Sequence, residues 1–347
     1  MEEITLISID LAKNIFRINC VDKKGKRVMN KNLHRDSLLR FLATAPQCTV
    51  AMEACTSSHY WGRAVASLGH TVKLIHPHYV TPYRLGDKND ANDAAAICAA
   101  ALRPDMRFVR LRSQRQSDIQ SLHRVRSGLV QERTATINRV RALLAENGIV
   151  IKQGPSAVFT LLPGILDDES NGLSTLMRRI LRSQHAHLLH LREQIKEFAG
   201  TLKTLIIEDD DCKRLMEIPG IGPLTATMLA SEIGNGSSFS RGRSFAAYIG
   251  LVPRQHSSGG KNLLLGISKR GNRHLRTLLV HCARTALRTI VLGKKTPFGG
   301  AIERWVLQVM ERRGKHKAIV ALAAKLARVA CSMLSRGTSF QNAASAC

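Results

Sequence analysis

Short β-branched runs alternate with helical segments through residues 4–75, and this alternation constrains the fold more than any other feature of the sequence. The predicted strands are 4–9, 15–21, 50–52 and 71–75, with one more after the charged turn at 22–26. The predicted helices between them are 34–42 and 60–68. A strand hairpin followed by strand, helix, strand and helix is the order of an RNase H-like α/β domain, so we expect such a domain at the N-terminus.

Four carboxylates sit at the ends of these segments. Asp10 and Glu53 close predicted strands, while Asp90 and Asp93 open an alanine-rich helical segment. Strand ends and helix starts gather polar groups at one edge of a sheet, so we expect all four in one pocket. Acids this close repel one another unless a cation compensates, and oxygen-only ligands suit Mg²⁺ or Mn²⁺. The alternative for any single acid is a helix cap or an ion pair with arginine.

The charge balance points to a polyanionic partner. Lysine and arginine number 52 against 26 acids, a formal net charge of +26 spread along the chain. Nucleic acid is the first choice of partner, and a phosphodiester is the natural substrate of a carboxylate-bound metal. Aromatic residues make up only 4%, which disfavours base stacking as the main binding mode. A membrane is the weaker interpretation, because there is no 18-residue uncharged apolar stretch and Met-Glu-Glu is no signal peptide.

Cysteine usage indicates a reducing compartment. The eight cysteines form no Cys-x-x-Cys pair and none has metal-binding spacing to a histidine. We expect buried or free thiols in the cytoplasm and no zinc site.

The middle of the chain is predicted to be helical. Residues 113–147 carry an apolar stripe surrounded by arginines, and 148–172, rich in proline and glycine, is interpreted as a loop-rich break. A second helix then keeps apolar spacing of four and three at Met177, Leu181, Gln184, Leu188, Leu191, Ile195, Phe198, Leu202 and Leu205. This heptad predicts a coiled coil within or between subunits. The alternative is an amphipathic helix packed on its own domain.

A glycine-rich turn lies in the mainly helical C-terminal region. Residues 217–226 resemble a helix-hairpin-helix, in which Gly220 and Gly222 would expose backbone N–H groups to a phosphate. The alternative is a plain turn between two helices.

Two basic segments follow this turn. Ser257 and Ser258 precede two glycines and are flanked by Arg254 and Lys261, which predicts exposed hydroxyls on a flexible, positively charged loop. Taken alone, this pattern is typical of any loop, and His256 makes no triad because the sequence places no companion acid. Lys269 and Arg270 lie in a basic turn at 267–276 that leads into a helix. This turn is interpreted as a phosphate contact or as a solvated face.

These motifs together resemble a known family. The matching segments are Ser8-Ile9-Asp10-Leu11-Ala12-Lys13, Met52-Glu53-Ala54, Lys88-Asn89-Asp90-Ala91-Asn92-Asp93-Ala94, Ile218-Pro219-Gly220-Ile221-Gly222, Gly250-Leu251-Val252-Pro253-Arg254, Ser258-Gly259 and Ile267-Ser268-Lys269. They occur in the order seen in DEDD-type insertion-sequence transposases. These are the recombinases of the "one-ten" and "eleven-eleven" insertion sequences, which are related to Piv-like DNA invertases. The resemblance runs from about residue 4 to 334.

The resemblance implies a mechanism and a set of partners. It implies a RuvC-like domain whose four acids, here Asp10, Glu53, Asp90 and Asp93, bind Mg²⁺. It also implies a serine that attacks DNA and forms a phosphoserine link; the motif places it at Ser258, with Ser257 as a second candidate. Such enzymes act as tetramers, dimers of dimers joined by helical coiled coils, in which acids of one subunit meet the serine of another. Their substrates are element ends or a circular junction and a target DNA, chosen with a structured noncoding guide RNA in the prokaryotic, nucleoid-associated cytoplasm.

We therefore expect four segments. They are a RuvC-like domain (1–108), a helical coiled-coil spacer (109–210), a mainly α serine transposase domain with the helix-hairpin-helix (211–336) and a flexible tail (337–347). The expected function is excision and insertion of an insertion sequence through a phosphoserine intermediate. One rival is a Holliday-junction resolvase-like nuclease that uses only the four acids. A second is an architectural DNA-binding protein, which would have no need of them.

Overall fold

The computed structural model describes residues 4–87, 89–236, 239–294 and 298–340. The chain divides into two compact units, Met1–Ser117 and Asp118–Cys347. Residues 118–210 of the predicted spacer (109–210) thus fall in the same unit as the predicted C-terminal domain, and the four-segment division stays a prediction. Lys88 and residues 341–347 of the predicted tail lie outside the described residues.

Unit 1 is built on a mixed six-stranded sheet with the order β3-β2-β1-β4-β5-β6. The strands are β1 (Leu6–Asp10), β2 (Ile15–Val21), β3 (Arg27–His34), β4 (Thr49–Glu53), β5 (Thr71–Ile75) and β6 (Phe108–Val109). β1 pairs antiparallel with β2 and parallel with β4, and β4 pairs parallel with β5. The predicted hairpin followed by parallel strands is therefore confirmed, while β6, two residues long, was not predicted.

Helices cover both faces of this sheet. They are α1 (Leu38–Thr44), α2 (Ser58–Ser67), α3 (Pro77–Val80) and α4 (Asp90–Leu102). Ile7 and Ile9 of β1 share a buried cluster with residues of α1 and α2, whereas Leu6 of β1 and Ala51 of β4 share one with α4. Successive side chains of a strand point to opposite faces. The even-numbered positions of β1 therefore face α4.

Most of the elements described after β6 are helices. They are α5 (Gln114–Glu146), α6 (Pro155–Asp167), α7 (Thr175–Ile207), α8 (Asp210–Met216), α9 (Pro223–Ile233), α10 (Gly242–Tyr248), β7 (Pro253–Ser258), β8 (Lys261–Ile267), α11 (Arg273–Val291), α12 (Gly299–Arg313) and α13 (Lys315–Arg336). A capping box begins α5: Ser113 Oγ accepts a hydrogen bond from the Gln116 N–H (3.2 Å), and Gln116 Oε1 accepts one from the Ser113 N–H (3.0 Å). The prediction of an α/β N-terminal region followed by a mainly helical one is confirmed.

The predicted loop-rich break at 148–172 is wrong, because α6 occupies its centre. Pro155 begins this helix, where a missing N–H costs nothing, and Pro163 lies inside it. Val158 and Leu162 are buried in one cluster with residues of α5 and α7. This tertiary packing outweighs the breaker residues on which the prediction rested.

The heptad positions of α7 are largely buried within the chain itself. Leu181 and Leu188 lie in the cluster shared with α5 and α6, and Leu191, Ile195 and Leu202 are also buried. The alternative interpretation, a helix packed on its own domain, accounts for this burial. The coiled coil stays a prediction.

Helix α13 lies in the larger core of unit 2. Leu322, Ala323 and Leu326 are buried in a cluster with residues of α8 to α12. By length and composition α13 could cross a membrane, but 67% of its most apolar window is buried inside the protein. Its burial is that of a core helix.

The predicted flexible loop around Ser257 and Ser258 is wrong as well, because these residues end a strand. β7 and β8 form a two-stranded antiparallel sheet, which we call the serine hairpin. Gly259 (φ 54°) and Gly260 (φ 78°) form its turn, and positive φ at both central residues is what a type I′ hairpin turn needs. All residues of the two strands are exposed except Ile267, which is half-buried.

Candidate active site and nucleic-acid interface

Two predicted catalytic acids lie at the carboxyl ends of neighbouring parallel strands. Ile9 of β1 is paired with Met52 of β4, so Asp10 and Glu53 occupy the next positions in register. Both are half-buried. Since Asp10 lies two residues beyond Ser8, and Glu53 two beyond Ala51, both carboxylates are on the sheet face covered by α4.

The other two acids stand in the first turn of α4. Asn89 caps this helix by accepting a hydrogen bond from the Asn92 N–H at 2.8 Å. Asp90 is exposed and Asp93 half-buried, and the helix dipole favours negative charge at this end. Ser8 Oγ is buried and donates to the Ala94 carbonyl at 2.8 Å, which holds the start of α4 against β1.

The fit of a divalent cation to these acids is partial. All of the donor atoms are oxygens, which Mg²⁺ and Mn²⁺ prefer. The strand ends of β1 and β4 and the first turn of α4 bring these acids to the same edge of the sheet. In the described part of the chain, however, no three Asp, Glu, His or Cys side chains are close enough to hold an ion. Asp93 instead accepts a bond from Arg84 Nη1 at 3.2 Å. A cationic guanidinium thus already compensates one carboxylate of the set.

The serine hairpin presents its two candidate serines on opposite faces. Ser258 pairs with Lys261, and His256 with Leu263, so one face carries Ser258 beside a cation. Ser257 pairs with Asn262 on the other face. There the Ser257 hydroxyl accepts a 2.7 Å bond from Gln255 Nε2. The two serines therefore differ in charge environment, although they are neighbours in the sequence.

The hairpin is fixed to unit 2 at its root, which we define as residues 248–252 and 267–272. The Lys269 N–H donates to the Gly250 carbonyl at 3.1 Å, and the Ser268 N–H donates to the Val252 carbonyl at 2.8 Å. A Cβ at Gly250 would lie 2.3 Å from the Arg270 amide nitrogen, so only glycine fits there. Lys269 and Arg270 have exposed side chains at the root, and Arg254 and Lys261 are exposed on the hairpin. Exposure is compatible with both interpretations of this turn, and nucleic-acid binding stays a prediction.

The predicted phosphate-binding turn is a turn between α8 and α9 that packs on α11. Gly220 has φ 85°, and a Cβ there would lie 2.7 Å from the Cys282 carbonyl oxygen. The Gly222 N–H and Thr225 Oγ1 face the Cys282 thiol, which is buried. Burial raises the pKa of this thiol. Packing alone therefore explains Gly220, and phosphate binding by this turn stays a prediction.

Sequence reasoning missed a buried polar cluster behind the hairpin root. Glu232 of α9 is 8% exposed and accepts hydrogen bonds from Gln120, Tyr248 and Asn272. The nearby His123 is buried; its Nε2 donates to Thr227 Oγ1 (2.9 Å), since that hydroxyl donates to the Pro223 carbonyl. Burial, with smaller effects of His274 and Arg126, lowers the pKa of His123 to about 4. A lone glutamate in the apolar segment 224–233 was the only signal in the sequence.

Comparisons with known families and proteins agree over nearly the whole chain. A family model described as "Transposase IS116/IS110/IS902 family" matches residues 212–295, and a DEDD model described as "Transposase" matches 7–148. The chain is 43% identical over 340 residues to the transposase of insertion sequence IS1328 from Yersinia enterocolitica, covering 98% of this chain and 99% of that protein. It is 40% identical over 341 residues to the IS1111A transposase of Coxiella burnetii, covering 98% and 92%. The pilin gene-inverting protein of Moraxella bovis is 34% identical over 131 residues, 36% of this chain and 37% of that protein.

Proposed function

The chain belongs to the IS116/IS110/IS902 family of insertion-sequence transposases and is a DNA transposase, and from this premise we propose how it cleaves and rejoins DNA. A serine hydroxyl of the hairpin attacks a phosphodiester: the hydroxyl releases its proton to solvent as the Oγ–P bond forms, the bond between phosphorus and one deoxyribose oxygen breaks, and that oxygen leaves with the electron pair and takes up a proton from solvent. The reverse reaction with a new DNA end reseals the strand. The phosphoserine link conserves the phosphodiester energy, so the exchange needs no ATP.

We choose Ser258 as the nucleophile because of the face of the hairpin on which it lies. Ser258 shares its face with Lys261, and a cation there attracts the anionic backbone of DNA. The Ser257 hydroxyl is already hydrogen-bonded to Gln255 on the neutral face. Ser258 is therefore the better candidate, in agreement with the family motif.

A serine hydroxyl is a weak nucleophile unless its target is polarised or its proton is removed. DEDD-type nuclease domains generally use a divalent metal ion, and we assign Asp10, Glu53, Asp90 and Asp93 as ligands of Mg²⁺ (or Mn²⁺). Bound there, the ion would polarise the phosphate and stabilise the leaving oxygen. Arg84 would then exchange its contact with Asp93 for solvent or a DNA phosphate.

Nucleic-acid binding is distributed over unit 2. Arg254 and Lys261 on the hairpin, and Lys269 and Arg270 at its root, are exposed cations for the DNA backbone. The turn at Gly220 and Gly222 would add backbone N–H contacts. By analogy with the family, the enzyme acts as a tetramer in the cytoplasm. It combines the acids of one subunit with the serine of another, and a structured noncoding RNA guides it to element ends and target.

Covalent capture of DNA tests the nucleophile. A denatured reaction of the wild-type protein should contain protein attached to DNA, and the link should vanish in Ser258→Ala and survive in Ser257→Ala. Both serines are exposed, so each change should alter stability by no more than about 0.5 kcal/mol, and loss of the link would report chemistry.

Each other outcome has a definite meaning. If Ser257→Ala is the variant that loses the link, the mechanism stands and the nucleophile is Ser257. If Ser258→Ala still cleaves DNA and releases free ends, hydrolysis by the acids alone, as in a Holliday-junction resolvase, is the better account.

A further inference from the structure

One buried carboxylate contacts both ends of the serine hairpin. Glu232 Oε1 accepts a hydrogen bond from the Tyr248 hydroxyl at 2.9 Å, and Tyr248 is the last residue of α10, just before β7. Glu232 Oε2 accepts one from Asn272 Nδ2 at 3.2 Å, and Asn272 lies between β8 and α11. The same oxygen accepts a bond from Gln120 Nε2 of α5 at 2.8 Å. The chain leaving one helix and the chain entering the next are thus joined through a single side chain.

Backbone and guanidinium contacts complete this root. Two backbone hydrogen bonds, from the amides of Ser268 and Lys269, cross the root. In addition, Arg276 Nη1 donates to the Ile249 carbonyl at 2.9 Å and to the Arg270 carbonyl at 2.6 Å. Asn272 also caps α11 by accepting from the Leu275 N–H at 3.1 Å. Asn272, which donates to Glu232, therefore also fixes the start of α11, the helix that follows the hairpin.

The hairpin itself has little else to orient it. Its strands are exposed from Pro253 to Gly266, and a two-stranded hairpin without a covered face is marginally stable on its own. The direction in which Ser258 points is consequently set where the strands leave the folded body, at the root whose two ends Glu232 joins. Removing a buried acceptor leaves its donors unpaired, which weakens all of those contacts together.

We propose that Glu232 is a positioning residue for the serine hairpin: its carboxylate holds Tyr248 and Asn272, and so holds the nucleophilic serine in its reactive orientation. This rests on the proposed function of the hairpin serine. Glu232 acts through the root of the hairpin and touches neither DNA nor the reacting atoms.

Glu232→Gln is the sharpest test, because it keeps the shape and replaces one acceptor oxygen by an NH₂ group that must face donors. Glu193→Gln, on an exposed part of α7, makes the same charge change and serves as the control. In Glu232→Gln the amides of Ser268 and Lys269 should exchange hydrogen at least about tenfold faster. The covalent link to DNA should form at least about tenfold more slowly. DNA affinity should stay within about twofold, since the surface cations are unchanged.

The inference is overturned if Glu232→Gln shows wild-type exchange at both amides, or if it forms the link at the wild-type rate. A parallel loss of DNA affinity and rate would also overturn it, because a positioning residue changes only the rate. Should Glu232→Gln not fold, Tyr248→Phe removes one donor and must show the same two effects at smaller size, and wild-type values would reject the proposal. If the wild-type protein forms no link, the proposed function fails, and the exchange rates alone decide whether Glu232 holds the root.

Discussion

The two units position their proposed catalytic side chains by different means: unit 1 has an acidic edge, Asp10, Glu53, Asp90 and Asp93, and unit 2 has the serine hairpin. Asp10 and Glu53 end two paired strands whose other residues are largely buried, so the sheet register fixes both positions. Ser258 ends a strand whose residues are all exposed, and its position depends on contacts at the hairpin root. A position fixed by the sheet register suits the metal-ligand role that we propose for the acids. An exposed hairpin suits the attack on DNA that we propose for its serine.

The two regions are sensitive to different substitutions. Changes at the acidic edge should alter chemistry without altering the fold, because the carboxylates lie at strand ends and in the first turn of a helix. Changes at the hairpin tip, Gly259 and Gly260, should leave the stability of the packed body of unit 2 unaltered. Changes at the root should lower that stability, since Gly250 and Glu232 lie where the hairpin joins the packed body.

The largest expected effect is the loss of recombination in Asp10→Asn. The substitution keeps the size of the side chain and removes the charge that a divalent ion needs, so recombination should fall to background while DNA affinity stays within about twofold. Asp36→Asn, at an exposed position of the same unit, should recombine like the wild type. A recombination assay in cells, paired with a DNA-binding titration, measures both. Near wild-type recombination by Asp10→Asn would remove the acidic edge from the mechanism.

A matched pair of glycines compares the root with the tip. Gly250 (φ 72°) and Gly260 (φ 78°) share a left-handed backbone, but a Cβ at Gly250 would lie 2.3 Å from the Arg270 nitrogen and a Cβ at Gly260 meets nothing within 4 Å. Gly250→Ala should lower the free energy of unfolding by about 3 kcal/mol or more, the sum of backbone strain and overpacking. Gly260→Ala should cost about 1 kcal/mol of strain within the hairpin and leave the global urea midpoint unchanged. Equal midpoints for the two variants would contradict the division into root and tip.

Lowering the pH should lower the free energy of unfolding, because His123 is buried in the polar cluster behind the hairpin root. Its pKa is lowered by burial from 6.5 to about 4 in the folded protein, so between these values the unfolded chain binds the extra proton. The free energy of unfolding therefore falls as pH drops from about 6.5 to about 4, and this histidine should account for about 2–3 kcal/mol of the fall. His123→Gln, which keeps a donor for Thr227, should lack that part. Urea unfolding at several pH values gives the difference, and identical pH profiles for the two proteins would refute it.

Much of unit 1 could be predicted because its signals are local. The runs that form β1, β2, β4 and β5 are short and β-branched, and parallel pairing then brings Asp10 and Glu53 to one edge. The Arg84–Asp93 ion pair could not be predicted, because it depends on where the tertiary structure places Arg84 relative to the first turn of α4.

Unit 2 was harder because long-range packing decides it. Helix α6 forms despite Pro155 and Pro163, since its apolar face is buried by residues far along the chain. The serine hairpin lacks the apolar alternation that marks a half-buried strand, and only its Gly-Gly turn signalled it. Glu232 could not be recognised, because the side chains of Gln120, Tyr248 and Asn272, which donate to it, come from α5, α10 and the start of α11.

We propose that the acidic edge of one subunit and the serine hairpin of another serve a single reaction. Asp10→Asn and Ser258→Ala should each form no covalent protein–DNA link when assayed alone. Co-expression of the two variants should restore part of the link, because a mixed oligomer contains an intact acidic edge in one chain and an intact serine in the other. Absence of any link in the mixed oligomer, with both variants folded and bound to DNA, would contradict the account.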